Sequence, residues 1–387
     1  MKLTALHTHE ERISLLKEVA QSFFDRARMY DETGQFPFEN IKDLRRIHYP
    51  ALVIPKQYGG ADISLTEMLT FQETIASFDG PTALAIGWHM GIAKNISENN
   101  AWKKETYEQF ARDVVDNGAL INNASTERGT GSPTRGGRPE TTAEKRANKW
   151  VLNGRKSFTT LAPVLDYFVV SASIVGTDKV GSFLVRRDAR GVSIDETWDS
   201  IAMKATGSHD LCLENVVLQE DDFLHELKPG NKRAQGWLLH IPACYLGIAK
   251  AAQREAIKFA SSYAPNSLEK GKTIADTYNV QQKLGEMELR LIESETLLYA
   301  VAQKWDESEE RIRDTMKEEL GAVKISVVNN ALSIVDLAMR VVGARSLSAS
   351  SPLQRYYRDV RAGLHNPPME DMTLVALAKK SLQKVND

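Results

Sequence analysis

The segment RDVRAGLHNPPMED, residues 358–371, gathers an Arg-Asp pair, a histidine, two prolines and two acids. His365 can give or take a proton near neutral pH. Glu370 and Asp371 are carboxylates of the kind that remove a proton from carbon when they lie within hydrogen-bond reach of it. The plainer reading is a turn that ends a helix, because paired prolines cannot continue one.

Two other stretches have polar groups at spacings suited to a ligand. INNASTERGTGSPTRGG, 121–137, sets hydroxyls and one acid among glycines. Glycines let backbone N–H groups come close to a bound molecule; a flexible linker has the same composition. The spacing is not that of a P-loop, and no G-x-G-x-x-G stands between a strand and a helix. In LNGRKSFTTLA, 152–162, Asn-Gly signals a hairpin turn. Strand alternation then puts Phe158 and Thr160 on one face. A ring beside a hydroxyl can hold a flat heteroaromatic group, and a sheet face packed on helices would look the same.

The surrounding elements follow from periodicity. Residues 1–120 are expected to be helical, with ISLLKEVAQSFFDRARMY amphipathic and SLTEMLTFQETIASFD opening on a Ser-x-x-Glu capping pattern. Residues 121–228 hold short runs rich in Val, Phe, Thr and Ile, separated by turn signals, and read as a β-domain. In 229–387 helix returns, with Val280, Leu284, Met287, Leu291 and Leu298 on one stripe and Leu320, Val323, Val327, Ala331, Ile334 and Val341 on another. The fold class is α+β, mostly α: an N-terminal helical domain, a middle β-domain and a C-terminal four-helix bundle. Ligand sites favour the joints between such units.

Composition narrows the function. Of 387 residues, 42% are hydrophobic and 26% charged, and the net charge is -2, which suits an ordinary globular protein. The basic residues are spread out, so no nucleic-acid partner is expected. Cys212 and Cys244 form no metal-ligand or disulfide pattern and are expected to be buried and inert. The N-terminal residues lack an apolar signal core, and WLLHIPACYLGIAKAA is too short to span a bilayer. A reduced, cytoplasmic setting without a membrane partner is the expectation.

The quoted stretches, in order, resemble the acyl-CoA dehydrogenase superfamily. Thr126-Glu127-Arg128-Gly129-Thr130-Gly131-Ser132 is similar to its T-E-P-x-A-G-S motif, and Leu152 to Thr160 to its L-N-G-x-K-x-W-I-T motif. MKATGSHDLCLENVVL, QQKLGEMELRLIESETLLY and Arg358-Asp359 resemble later segments of the same family. The resemblance implies a flavin, FAD in most members. Thr126, Gly131 and Ser132 would line its site, Phe158 would take the place of the usual Trp against the ring, and Thr160 would bond near N5. It also implies a homotetramer or homodimer, an acyl-CoA or other small-molecule substrate, and an electron-transfer flavoprotein or a flavin reductase as partner.

Two departures stand against the family pattern. The R-x-x-F-G that grips a neighbour's flavin pyrophosphate is replaced by APNSLEKGKTIADTYNVQ, where Lys270 or Lys272 offers a point charge rather than a fork. FMN thereby becomes an alternative. The usual catalytic Glu corresponds to Pro367, and the alternative position on an earlier helix lies near Trp237. Glu370 is then the nearest candidate base. His365 and His89, the latter on a helix that lines the substrate side in the family, resemble the histidines of the flavin monooxygenase branch, which hold an oxygen adduct of reduced flavin. Three readings follow: α,β-dehydrogenation of an acyl-CoA with hydride transfer to flavin N5, oxygen-dependent monooxygenation with His89 and His365, and a flavin-binding protein without catalysis.

Overall fold

The computed structural model describes residues 1–99, 102–131, 137–227 and 233–383. The N-terminal part consists of helices α1 (His9–Thr33), α2 (Phe38–Arg46), α3 (Leu65–Ala76), α4 (Gly80–Asn99) and α5 (Lys104–Asn117). Thr8 and Glu11 form a capping box at the start of α1, and Gly34, at φ 69°, ends it. Ser64 caps α3 as expected by accepting from the Glu67 amide. Glu67 does not complete the box, and its carboxylate accepts from Arg12 at 2.8 Å.

The middle part is a sheet of strands β1 (Ile121–Ala124), β2 (Thr142–Arg146), β3 (Lys149–Thr159), β4 (Tyr167–Ile174), β5 (Val180–Arg186), β6 (Val192–Asp195), β7 (His209–Gln219) and β8 (Phe223–Leu227). Their order is β6-β7-β3-β2-β4-β5-β8, with β1 parallel to β4. Cys212 on β7 is half-buried rather than buried, whereas Cys244 is fully enclosed.

The C-terminal part comprises α6 (His240–Ser262), α7 (Tyr278–Glu307), α8 (Glu310–Arg313), α9 (Lys317–Val342), α10 (Pro352–Asp359) and α11 (Glu370–Gln383). The α7 stripe is buried at Val280, Met287, Leu291 and Leu298, and the α9 stripe at all six positions named above. Lys317–Leu347, which carries the second of these stripes, is also apolar and long enough to cross a membrane by length and composition. In the fold, α9 packs on α6 and α7. One core runs through all three parts.

The joints are braced by charge. Arg358 grips Asp31 of α1 through two hydrogen bonds, at 2.9 and 2.6 Å, and donates to the Ile201 carbonyl at 2.7 Å. Asp359 accepts from the Met203 amide at 2.6 Å. The Arg-Asp pair thus ties the bundle to α1 and to the loop before β7.

Candidate active site

The β3–β7 ladder loses register between Leu152 and Gly154 and again between Lys156 and Thr159. The second irregularity holds Phe158 at φ 57°, and Leu161 and Met203 also adopt left-handed conformations, at 68° and 52°. Each such non-glycine residue costs roughly 1–3 kcal/mol, and such strain collects at functional sites. The Phe158 ring is 62% exposed and meets Trp198 edge to face at 6.0 Å. Trp198 in turn donates to the Met203 carbonyl at 3.2 Å.

Thr160 does not share the face of Phe158, contrary to the alternation expected from sequence. The strand ends at Thr159, and the positive φ at Phe158 breaks the two-residue period. Thr160 is buried, and its hydroxyl lies 2.9 Å from that of Ser208, which lies 2.8 Å from that of Thr206. Thr206 donates to the Met203 carbonyl at 3.0 Å. A hydroxyl has one proton, so this chain runs from Thr160 to Ser208 to Thr206, and the Thr160 oxygen keeps lone pairs to accept with.

The turn preceding β2 is built around Glu127, which sequence inspection passed over as one acid among glycines. Its buried carboxylate accepts from the Lys156 ammonium at 2.6 Å, the Thr141 hydroxyl at 2.6 Å, the Glu140 amide at 2.6 Å and the Thr130 hydroxyl at 2.8 Å. Burial works to raise this carboxyl, but Lys156 and the other donors outweigh it and hold the group at about 2. The Thr126 carbonyl accepts from the Ser157 amide at 2.8 Å, which docks the turn beside Phe158. The Thr126 hydroxyl makes no hydrogen bond with the described residues. Gly131 pairs with Glu127 at φ 68°, with open space where a Cβ would stand. Ser132 lies outside the described residues.

His89 is a core histidine in this structure. It is fully buried, with Nε2 3.3 Å from the Pro50 carbonyl and Nδ1 accepting from the Ile121 amide at 3.1 Å. Burial pulls it down to about 4, against the Pro50 hydrogen bond. Both ring nitrogens are occupied, Nδ1 joining α4 to β1 and Nε2 joining it to the segment at Pro50, which leaves no nitrogen for a reacting group. The catalytic role expected for His89 is therefore replaced by a structural one.

His240, which the sequence did not flag, is the opposite case. Its Nδ1 lies 2.9 Å from the Trp237 carbonyl, while Nε2 is buried without a partner among the described residues, as is the Trp237 indole nitrogen. The two rings stack with centroids 5.9 Å apart, and Trp88 of α4 meets the His240 ring edge to face at 5.1 Å. Glycines on α4 allow this approach: a Cβ at Gly87 would lie 2.7 Å from the His240 ring, and one at Gly91 would lie 2.6 Å from Trp237.

The 358–371 segment divides into a buried brace and a surface turn. Asp359 is buried, and burial raises its carboxyl to about 7 against the Met203 amide and Arg355. The chain continues as a 3-10 helix from Val360 to the exposed His365. Asn366 accepts from the buried Tyr245 hydroxyl at 2.5 Å. Pro367 and Pro368 follow, and Glu370 opens α11, where its charge is felt by Lys324 of α9 without an ion pair.

A folded-state value raised from the usual 3.8 to about 7 favours the protonated form. Its stabilising contribution is full below about pH 4 and is lost as pH rises through 7. Asp359→Asn is therefore expected to flatten the thermal stability profile between pH 4 and 7. Parallel melting curves for variant and wild type across that range would refute the assignment.

An exposed aromatic ring at a strained bulge, a threonine hydroxyl without a partner among the described residues and an open glycine turn fit a flat, hydrogen-bonding cofactor ring. Among the described residues no cluster of His, Cys, Asp or Glu could hold a metal ion. At one edge of the sheet the fold gathers groups suited to an organic cofactor.

Family models for the acyl-CoA dehydrogenase N-terminal, middle and C-terminal domains match residues 8–112, 122–216 and 239–366. The chain belongs to the acyl-CoA dehydrogenase family of flavin-dependent oxidoreductases. It is 50% identical to YdbM of Bacillus subtilis (strain 168), provisionally named an acyl-CoA dehydrogenase, over 94% of this chain and 95% of that protein. It is 26% identical to an L-evernosamine nitrososynthase of a Micromonospora species, over 91% and 85% of the two chains. The fold matches FMN-bound TdsC from Paenibacillus sp. A11-2 with a TM-score of 0.85 at 23% identity, over 96% and 97%.

Proposed function

We propose that this protein is an oxygen-dependent flavin monooxygenase within the acyl-CoA dehydrogenase family, supplied with reduced flavin by a separate reductase. One observation carries the reading: Pro367 follows Arg358-Asp359 at the spacing that, by the motif resemblance, belongs to the dehydrogenases' base, and the exposed His365 stands two residues before it. A proline has no group that can remove the α-proton of a thioester. Glu370, the nearest candidate, opens the next helix beside Lys324. Bound reduced flavin supplies the activation of O2. In this reading Phe158, the Thr126 hydroxyl and the Thr160 oxygen would hold the flavin ring. Lone pairs left on Thr160 suit a proton-bearing partner, as reduced flavin is. His365 gives and takes the proton at the reacting oxygen, and Tyr245 holds the turn through Asn366.

FMN is the proposed cofactor. Lys272 is engaged with Glu269 at 2.7 Å and Lys270 is exposed, so neither offers the fork that a pyrophosphate would use. The neighbour TdsC is an FMN-bound protein by its description. Assembly as a homotetramer or homodimer belongs to the same reading, as do the exposed apolar side chains Leu289 and Ile292 on α7 and Leu374 and Val375 on α11.

Dehydrogenation of an acyl-CoA is the second reading, favoured by the name of the 50%-identical relative. Anaerobic titration separates the two. With flavin bound and a panel of acyl-CoAs added, the oxidised band is expected to persist. Bleaching by any of them would overturn the monooxygenase reading and bring Glu370 forward as base.

A further inference from the structure

A cavity of about 130 Å³ lies between the segment entering α6, one face of α9 and the turn after His365. Leu238, Leu239, Leu320 and Pro368 give it apolar walls. Lys324 also lines it, although this side chain is only 1% exposed. Its ammonium makes no hydrogen bond or ion pair with the described residues. A buried charge without a partner is among the costliest features a core can hold.

The neighbouring charges do not neutralise it. Glu370 acts on Lys324 only at a distance, and burial pulls the ammonium below the usual lysine range in spite of it. Arg233, at the cavity edge, is taken up by Glu310 and by Asn99. Lys317, two turns before Lys324 on the same face of α9, is exposed at the rim and adds further positive charge. The cavity therefore combines an excess of cationic groups with leucine walls; its volume is below the ~150 Å³ of an enclosed apolar cavity that holds benzene, but it opens to solvent on one side, so a single ring can enter with one edge exposed.

We infer that this cavity is a binding site for a small organic carboxylate, with Lys324 as the counter-charge and Leu238, Leu239 and Leu320 around an apolar body of one ring. Pro368, three residues after His365, forms part of its wall. The inference does not depend on the oxygen chemistry, since it concerns binding alone.

Benzoate is the probe, with benzyl alcohol as its neutral counterpart, followed by calorimetry on the full-length protein without O2 turnover. Benzoate is expected to bind wild type and raise its melting temperature, and benzyl alcohol to bind roughly ten- to a hundredfold more weakly. Lys324→Met keeps the chain length and removes the charge. It is expected to be folded, to melt no lower than wild type, and to lose the benzoate shift. Leu320→Phe fills the cavity with Lys324 left in place and is expected to lose binding as well. Equal benzoate affinity in wild type and either variant, or no benzoate binding to wild type, would overturn the assignment. Failure of the oxygen reaction with benzoate binding intact would count against the proposed function alone.

Discussion

Glu127→Ala is expected to destabilise the protein by about 3–5 kcal/mol, the cost of leaving a buried charge without its partner. Lys156 is 0% exposed, and the carboxylate it would lose lies 2.6 Å away. The same carboxylate also receives Thr141 and the Glu140 amide, so its removal unties the turn that sets Thr126 beside Phe158. Flavin affinity should fall together with stability. The double variant Glu127→Ala with Lys156→Met removes the orphaned ammonium and should recover part of the loss. Urea unfolding at neutral pH measures both. A loss under about 1 kcal/mol, typical of an exposed ion pair, would remove Glu127 from the account.

The pH dependence has a definite sign. The Glu127 carboxyl is held at about 2, below its usual 4.5. Its contribution is present above pH 4.5 and is lost as pH falls through 2. The gap between wild type and Glu127→Ala should therefore narrow in that acid window. Asp359, raised by burial, changes over the separate window between pH 4 and 7, so the two groups can be told apart in one titration.

His365→Ala should leave the melting temperature nearly unchanged and uncouple turnover. The side chain is exposed at the end of its 3-10 helix, so truncation removes little packing. If it handles the proton at the reacting oxygen, product formation should fall by about 10²–10⁴. Oxygen uptake should continue, with the reducing equivalents appearing as hydrogen peroxide. Tyr245→Phe, which frees Asn366 without altering the histidine, should show the same uncoupling in weaker form. Oxygen uptake, peroxide and product measured together decide the matter. Full coupling in His365→Ala would exclude the residue from the mechanism. His89→Ala should give a contrasting result, with lost stability in place of peroxide, because that ring is joined to Pro50 and Ile121.

The two histidines show where sequence reading stops. Both stand in suggestive contexts, and their spacing says nothing about what occupies the ring nitrogens. For His89 that depends on a carbonyl and an amide from segments far along the chain. His240 was missed for the matching reason: its orphaned nitrogen arises from the close packing of α4 against α6, which Gly87 and Gly91 permit. Lys324 sits within an apolar helical stripe, and only the fold places it at a cavity wall.

Local physics determined much of the rest. Helical periodicity and caps mark α1, α3, α7 and α9, because a 3.6-residue repeat buries one face wherever the helix docks. Turn residues and β-branched runs mark the middle sheet, and the ordered motifs from Thr126 to Asp359 identify the family. Phe158 stood out in the sequence as the ring in the place of the family's Trp, but its exposed, left-handed geometry followed from a register slip that strand alternation cannot foresee. Residue types and periods near in sequence set the elements and the family. Hydrogen-bond partners, buried charges and strain depend on contacts between distant segments, so tertiary structure alone decided which candidate groups are free to act.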